Sequence, residues 1–68
     1  MKTFLVRVYS RGTQIKEYTV KACASFDDTV KPAKLIPASL NACNQVESLH
    51  NPHPRRNELY CYEAEQVS

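Results

Sequence analysis

The chain has no long apolar run and no recognisable export signal. No stretch approaches the roughly 20 apolar residues that a membrane-spanning helix needs, and Arg7 interrupts the short apolar run in MKTFLVRVYSRG at the start. A secretory signal needs a longer apolar region that is followed by a small-residue cleavage site. These absences predict a soluble, unexported protein that works in the cytoplasm without a membrane partner.

Glycine is almost absent, tryptophan is missing, and the chain is short. With Gly12 as its only glycine, the sequence of 68 residues has no glycine-rich loop of the kind that holds phosphates. A domain of this length buries only about 60% of the surface that its unfolded chain exposes. A substrate pocket of roughly 300 Å³ or more would therefore take up its core. We predict one small domain, residues 1–68, that is not an enzyme and has no cofactor.

Cysteine is present, but its pattern does not indicate a disulfide framework. The chain has three cysteines, an odd number, and they are widely spaced; disulfide scaffolds usually carry an even, denser set. Structural zinc sites usually bring their ligands in close pairs. One metal site is still conceivable, from Cys43, Cys61, His50 and His53. Reduced core thiols and ordinary loop histidines are the favoured interpretation, so we predict no metal.

Two alternating segments surround the single glycine. Residues 3–10, TFLVRVYS, place Phe4, Val6 and Val8 on one face and an arginine and a tyrosine on the other, and residues 13–24 alternate in the same way. This period of two is typical of strands. A lone glycine between such runs is typical of a tight turn. The sequence predicts a β-hairpin.

The middle of the chain predicts helix, interrupted by proline. SFDD resembles a capping box and predicts a short helical turn near residues 26–31, followed by an irregular piece through residue 37 because Pro32 and Pro37 disfavour helix. The main helix should run from about Ala38 to Leu49. Its apolar stripe is predicted at a spacing of three: Leu40, Cys43, Val46 and Leu49.

A proline-rich loop, HNPHPRRN, then leads into the last alternating segment, residues 58–67. If Glu63 and Glu65 point to water, Tyr60 and Tyr62 face the helix; the inverted assignment stays open. The predicted architecture is an α+β fold of ββαβ order, an antiparallel sheet with one helical layer. The sheet face away from the helix, called the open face below, is predicted to be bare.

Such a sheet favours a role in protein binding. Free strand edges can pair with a partner's strand, and tyrosine and arginine are frequent anchors of interfaces. The predicted contact residues are Arg7, Tyr9, Arg11, Arg55 and Arg56. A homodimer formed through strand edges is compatible with this hypothesis and with the binding of nucleic acid considered next.

Binding of nucleic acid is the alternative. RNA-binding sheets stack bases on exposed aromatic residues that basic residues flank, and Arg7 and Tyr9 would share such a face. The net charge of +2 is small for this role, since affinity for nucleic acid depends on counterion release by basic residues. We therefore rank it below protein binding.

The segment TFLVRVYSRGTQIKEYTVKACASFDD resembles the opening of small phage-encoded host-takeover proteins. The compact RNA-polymerase inhibitor of T7-like phages has the order hairpin, helix and closing strand, and some small anti-CRISPR proteins have a similar opening hairpin. The resemblance covers residues 3–31 and is one of pattern, size and element order. It implies an inhibitor that occludes a surface of a host protein complex without performing chemistry, and it assigns no functional residue.

Overall fold

A computed structural model describes residues 1–52 and 59–68 of the chain. It confirms the predicted α+β fold, with two further short strands between the hairpin and the helix. In chain order the elements are β1 (Lys2–Ser10), β2 (Thr13–Ala22), β3 (Ser25–Asp27), β4 (Lys34–Ile36), α1 (Ala38–His50) and β5 (Tyr60–Gln66). Three strands form one sheet in the order β2-β1-β5, and β3 and β4 form a separate two-stranded sheet.

The predicted hairpin is confirmed, and its turn has two residues. Arg11 and Gly12 both adopt positive φ, 53° and 80°, which matches the twist of the flanking strands. A bulge lies at Ile15, because Val8 pairs with Lys16 whereas Tyr9 pairs with Gln14. The bulge shifts the alternation of β2 by one residue near the turn, a change that the sequence pattern does not reveal.

The last strand joins the sheet beside β1, in the orientation that the glutamates predict. β5 pairs antiparallel with β1, with Tyr62 opposite Val8 and Ala64 opposite Val6. Tyr60 and Tyr62 therefore lie on the helix side, against the core. The chain ends meet here, since Val67 N donates to Thr3 O (2.9 Å) and Thr3 N donates to Ser68 O (3.3 Å).

The helix begins directly after Pro37 and packs on the sheet through small residues. Pro37 O accepts hydrogen bonds from the backbone N–H groups of residues 40 and 41, each at 3.1 Å. The fully buried helix residues are Ala42 and Val46, and their small side chains let the helix approach the sheet closely. The core comprises Phe4, Val6, Val8, Ala22, Ala42 and Val46. No helix in the described part of the chain is long and apolar enough to cross a membrane.

The predicted apolar stripe is correct for Val46 and Cys43 and wrong for the two leucines. Leu40 is 49% exposed and Leu49 is 64% exposed. The buried stripe instead has a spacing of four, through Ala38, Ala42 and Val46. Residues four apart lie on one face of a helix, so the alanines that look neutral in the sequence form the contact surface.

The short helical turn that SFDD predicts at residues 26–31 is wrong. Residues 25–36 form a small hairpin in which Phe26 pairs with Leu35 and Asp27 with Lys34; we call it the satellite hairpin. The Asp27 carboxylate accepts hydrogen bonds from the backbone N–H and the hydroxyl of Thr29. An aspartate that bonds the backbone two residues on favours a turn over a helix, and the Lys31–Pro32 peptide, which is cis, lies in the same connection.

Candidate protein-binding surfaces

The open face of the three-stranded sheet is centred on Arg7. Its Nη2 donates to Glu65 Oε2 at 3.0 Å, and its Nε lies 3.7 Å from Glu17 Oε1. Arg7 is on the central strand and the two glutamates are on opposite edge strands, so one guanidinium links all three strands. The hydrogen bond that Arg7 donates to Glu65, with the charges of both carboxylates, raises the pKa of Arg7.

Two of the predicted contact residues lie together, and a third lies at the end of the same strand pair. Tyr9 is half-buried beside Arg7 on the open face, where its neighbours across the strands are Gln14 and Cys61. Arg11 is exposed at the turn. The other two predicted contacts, Arg55 and Arg56, lie outside the described residues.

The described charges of the open face are more acidic than basic. Strand alternation places on this face two cations and three carboxylates: Arg7, Lys21, Glu17, Glu63 and Glu65. Two of these carboxylates already contact the central arginine. Because phosphates are repelled by carboxylates and bind to unneutralised cations, this arrangement disfavours the open face as a nucleic-acid interface.

The satellite hairpin is a second candidate surface, which sequence reasoning missed. Phe26 is 65% exposed and Leu35 is 56% exposed. They are direct cross-strand partners, so their side chains lie on the same side of the two-stranded sheet. Apolar patches on the surface of soluble proteins often mark sites of interaction. The exposed phenylalanine and leucine therefore make the satellite hairpin a candidate binding surface.

Charged residues follow this apolar pair toward the connection between the two strands. Asp27 and Lys34 form the next cross-strand pair, whose side chains alternate to the other side of the small sheet, and Asp28 and Lys31 lie in the connection. Thr29 donates two hydrogen bonds that lower the pKa of Asp27, and the bond from its hydroxyl has a larger effect than the bond from its backbone N–H. Charged residues of both signs therefore lie beside the apolar pair on the side of the connection, and polar groups commonly flank the apolar centre of a protein interface.

One helix residue attaches the satellite hairpin to the rest of the molecule. The Asn41 side-chain amide donates to Cys23 O at 2.8 Å and to Ser25 Oγ at 3.0 Å. Four residues along, Gln45 Nε2 donates to Lys21 O at 3.0 Å. These bonds hold the end of β2 and the start of the satellite hairpin against α1.

The residues weighed for a metal site are not brought together. Cys61 is exposed on the open face, whereas Cys43 packs on the helix side of the sheet. The ring of His50 lies edge-on between Tyr18 and Tyr60, and its Nδ1 shares a 3.0 Å hydrogen bond with the Tyr18 hydroxyl. The remaining candidate ligand, His53, is outside the described residues. Within those residues no cluster of three or more potential ligands occurs.

Two concave surfaces of the described residues are open grooves. One, of about 460 Å³, lies between the end of β2 and α1 and is lined mainly by amides, hydroxyls and Met1. Another, of about 280 Å³, lies between α1 and β5 and is lined by Ser39, Leu40, Cys43, Tyr62, Glu63 and Ala64. Burial raises the pKa of the Cys43 thiol, and a raised pKa opposes reactivity as a nucleophile.

Comparison of the chain with protein-family models, with curated proteins and with solved structures found no match.

Proposed function

We propose that this chain is a small protein-binding module that acts by covering a surface of another protein. The observation that carries the proposal is the exposed Phe26–Leu35 pair, since contiguous apolar side chains on a protein surface often mark a site of interaction. The satellite hairpin presents the pair on one side of two paired strands, with charged residues in the connection beside it. The partner surface it fits has an apolar pocket, with charged residues beside it where the connection of the hairpin lies.

The biological setting that we propose is inhibition of a host protein complex by a phage-encoded protein. Its support is the pattern of the opening hairpin and the small size of the chain. A molecule with extents of 36 × 31 × 18 Å is thin, and a thin body acts most directly by lying on a partner and blocking access to it. Arg7, Tyr9 and Arg11 remain proposed contacts at the open face and its turn, with Arg55 and Arg56 beyond the described residues.

The test is quantitative affinity capture from a bacterial lysate at moderate salt, with a pair of matched variants. The test variant changes Phe26→Ser and Leu35→Ser together. The control changes Leu49→Ser, which removes a comparably exposed leucine from the helix. We expect the wild type and the control to recover the same protein in stoichiometric amount, and the double variant to recover at least tenfold less, since hot-spot residues contribute about 2 kcal/mol or more.

Two results would contradict the proposal. One is that no protein is recovered in stoichiometric amount by the wild type. The other is that the double variant, shown by circular dichroism to be folded, recovers as much as the wild type. Sedimentation of the purified wild type distinguishes binding of a different protein from self-association. If the satellite hairpin mediates self-association, the sedimentation coefficient should rise with protein concentration, and the double variant should abolish that rise.

A further inference from the structure

The outer edge of β5 has main-chain groups that no described residue pairs. Val67 N donates to Thr3 O, and the register of β5 with β1 continues without a shift. Odd-numbered residues of β5 therefore direct their N–H and C=O groups toward β1. The groups of the even-numbered residues point outward: Tyr60, Tyr62, Ala64 and Gln66. In the part of the chain that the structure describes, no strand lies beyond β5.

The opposite edge of the sheet differs, because the helix covers part of it. The carbonyl of Lys21, on β2, accepts a hydrogen bond from the side chain of Gln45. The carbonyl of Cys23, one residue past the end of β2, accepts one from the side chain of Asn41. These side-chain amides occupy positions that an added strand would need. The helix residues on the β5 side include Leu40 and Cys43, which line a groove and supply no equivalent amide. With respect to the described residues, the β5 edge is thus the more accessible of the two.

The surroundings of the β5 edge differ on its two sides. On the helix side is the groove of about 280 Å³, where the half-exposed Leu40 and Tyr62 present apolar surface. On the open face are Glu63 and Glu65, two residues apart; Glu65 already bonds Arg7, whereas Glu63 forms no ion pair with the described residues. An added strand alternates its side chains between these two sides. One set of its side chains would meet an apolar groove, and the other set would meet carboxylates.

We infer that β5 is a docking edge for an extended segment of a partner protein in which basic residues alternate with apolar ones. Main-chain hydrogen bonds to the outward groups of Tyr62 and Ala64 give affinity, and the alternating side chains give specificity, as in other cases of strand addition. A second copy of this chain fits less well. Pairing β5 with another β5 would bring glutamates of the two copies near each other, and like charges across strands are destabilising.

The test uses labelled peptides and backbone NMR of the whole chain. The first peptide has eight residues that alternate lysine with valine. The second has the same composition with the lysines and valines in separate blocks, and the third alternates glutamate with valine. We expect the first peptide alone to bind saturably and to shift the amide signals of Tyr60, Tyr62 and Ala64 more than those of β2.

A matched pair of charge variants sharpens the test. Glu63 and Glu17 both lie opposite Arg7, one on each edge strand. Glu63→Gln should weaken binding of the lysine–valine peptide up to about fivefold, the range of an exposed ion pair of at most about 1 kcal/mol. Glu17→Gln removes one negative charge from the opposite edge strand. It should change the dissociation constant of the peptide by less than half of the fold-change that Glu63→Gln causes.

A backbone variant isolates the strand pairing. A synthetic chain with N-methylalanine at position 64 lacks one outward donor but keeps every N–H that faces β1. We expect this chain to remain folded by circular dichroism and to lose at least fivefold in peptide affinity. The docking edge is separate from the satellite hairpin, so the Phe26→Ser and Leu35→Ser variant should bind the peptide as the wild type does.

Three outcomes would overturn the inference. The first is equal binding of the alternating and blocked peptides, which indicates charge attraction without strand pairing. The second is a set of peptide-induced shifts that map to β2 or to the satellite hairpin. The third is concentration-dependent dimerisation of the wild type that N-methylation at position 64 abolishes, which would assign the edge to a second copy.

Discussion

The layered body of the molecule and the satellite hairpin use apolar residues in opposite ways. In the body, β1, β2, β5 and α1 enclose every buried side chain of the described residues. In the satellite hairpin, the strands bury none, and Phe26 and Leu35 face water. Phe4 and Phe26 show the contrast most directly, since one is 3% and the other 65% exposed. Apolar residues in the body stabilise the fold, whereas those of the satellite hairpin are exposed and available for contact with a partner.

The largest expected effect separates these two phenylalanines. Phe4→Ala leaves a cavity in the core and should lower the free energy of unfolding by about 3–5 kcal/mol, or unfold so small a domain outright. Phe26→Ala should change it by about 0.5 kcal/mol or less, as surface substitutions do. Urea unfolding followed by circular dichroism measures both. Losses of similar size would show that the satellite hairpin contributes to the core after all.

A smaller effect tests the link between the two regions. Asn41→Ala removes the two hydrogen bonds to Cys23 and Ser25 and should cost about 1 kcal/mol. Amide exchange in the satellite hairpin should become faster while exchange in β1 is little changed. Asn44→Ala is the control, since this exposed residue makes no side-chain hydrogen bond to the described residues. Equal exchange rates in the two variants would mean that Asn41 does not hold the satellite hairpin in place.

The smallest effect is a pH dependence confined to the satellite hairpin. The hydrogen bonds from Thr29 lower the pKa of Asp27 below its ordinary value of 3.8, so the carboxylate stabilises the turn fully above that pH. This stabilisation is lost as the pH falls through the lowered pKa of the folded state. NMR should show the Thr29 amide signal moving below about pH 4 while that of Val6 stays constant. Asp27→Asn should abolish the movement.

A pH-dependent shift of the Thr29 amide that survives Asp27→Asn would assign the titration to another group. A parallel shift of the core signals would show that acid loosens the whole molecule instead of one turn. Either result would remove the distinction between body and hairpin at low pH.

The sequence predicts the body well because alternation and charge act together there. A strand with one covered face must alternate, so TFLVRVYS and the segment after Gly12 give the hairpin. The faces of β5 follow from the cost of burying glutamate, which leaves Tyr60 and Tyr62 for the core. Pro37 defines the start of the helix because proline is tolerated at a helix start and not within one.

The satellite hairpin and the buried stripe of the helix were not predictable in the same way. Strands of three residues are too short to show a period, and aspartate is common both at helix caps and in turns, so its presence in the sequence does not distinguish the two. In the helix, Ala38 and Ala42 have little hydrophobic surface of their own, so the leucines outweigh them in any sequence pattern. The candidate surface at Phe26 depends on exposure, which only the tertiary structure defines.

The backbone hydrogen bond from Val67 to Thr3 brings the two ends of the chain close together. Both chain ends leave the sheet at one corner, and the Arg11–Gly12 turn lies at the far end of the nine residues of β1, roughly 25–30 Å away at about 3.3 Å per residue. A tether attached to either end therefore holds the protein in the same orientation, with that turn directed away from the support. A short peptide that joins the ends would produce a circular chain in which every strand keeps its neighbours.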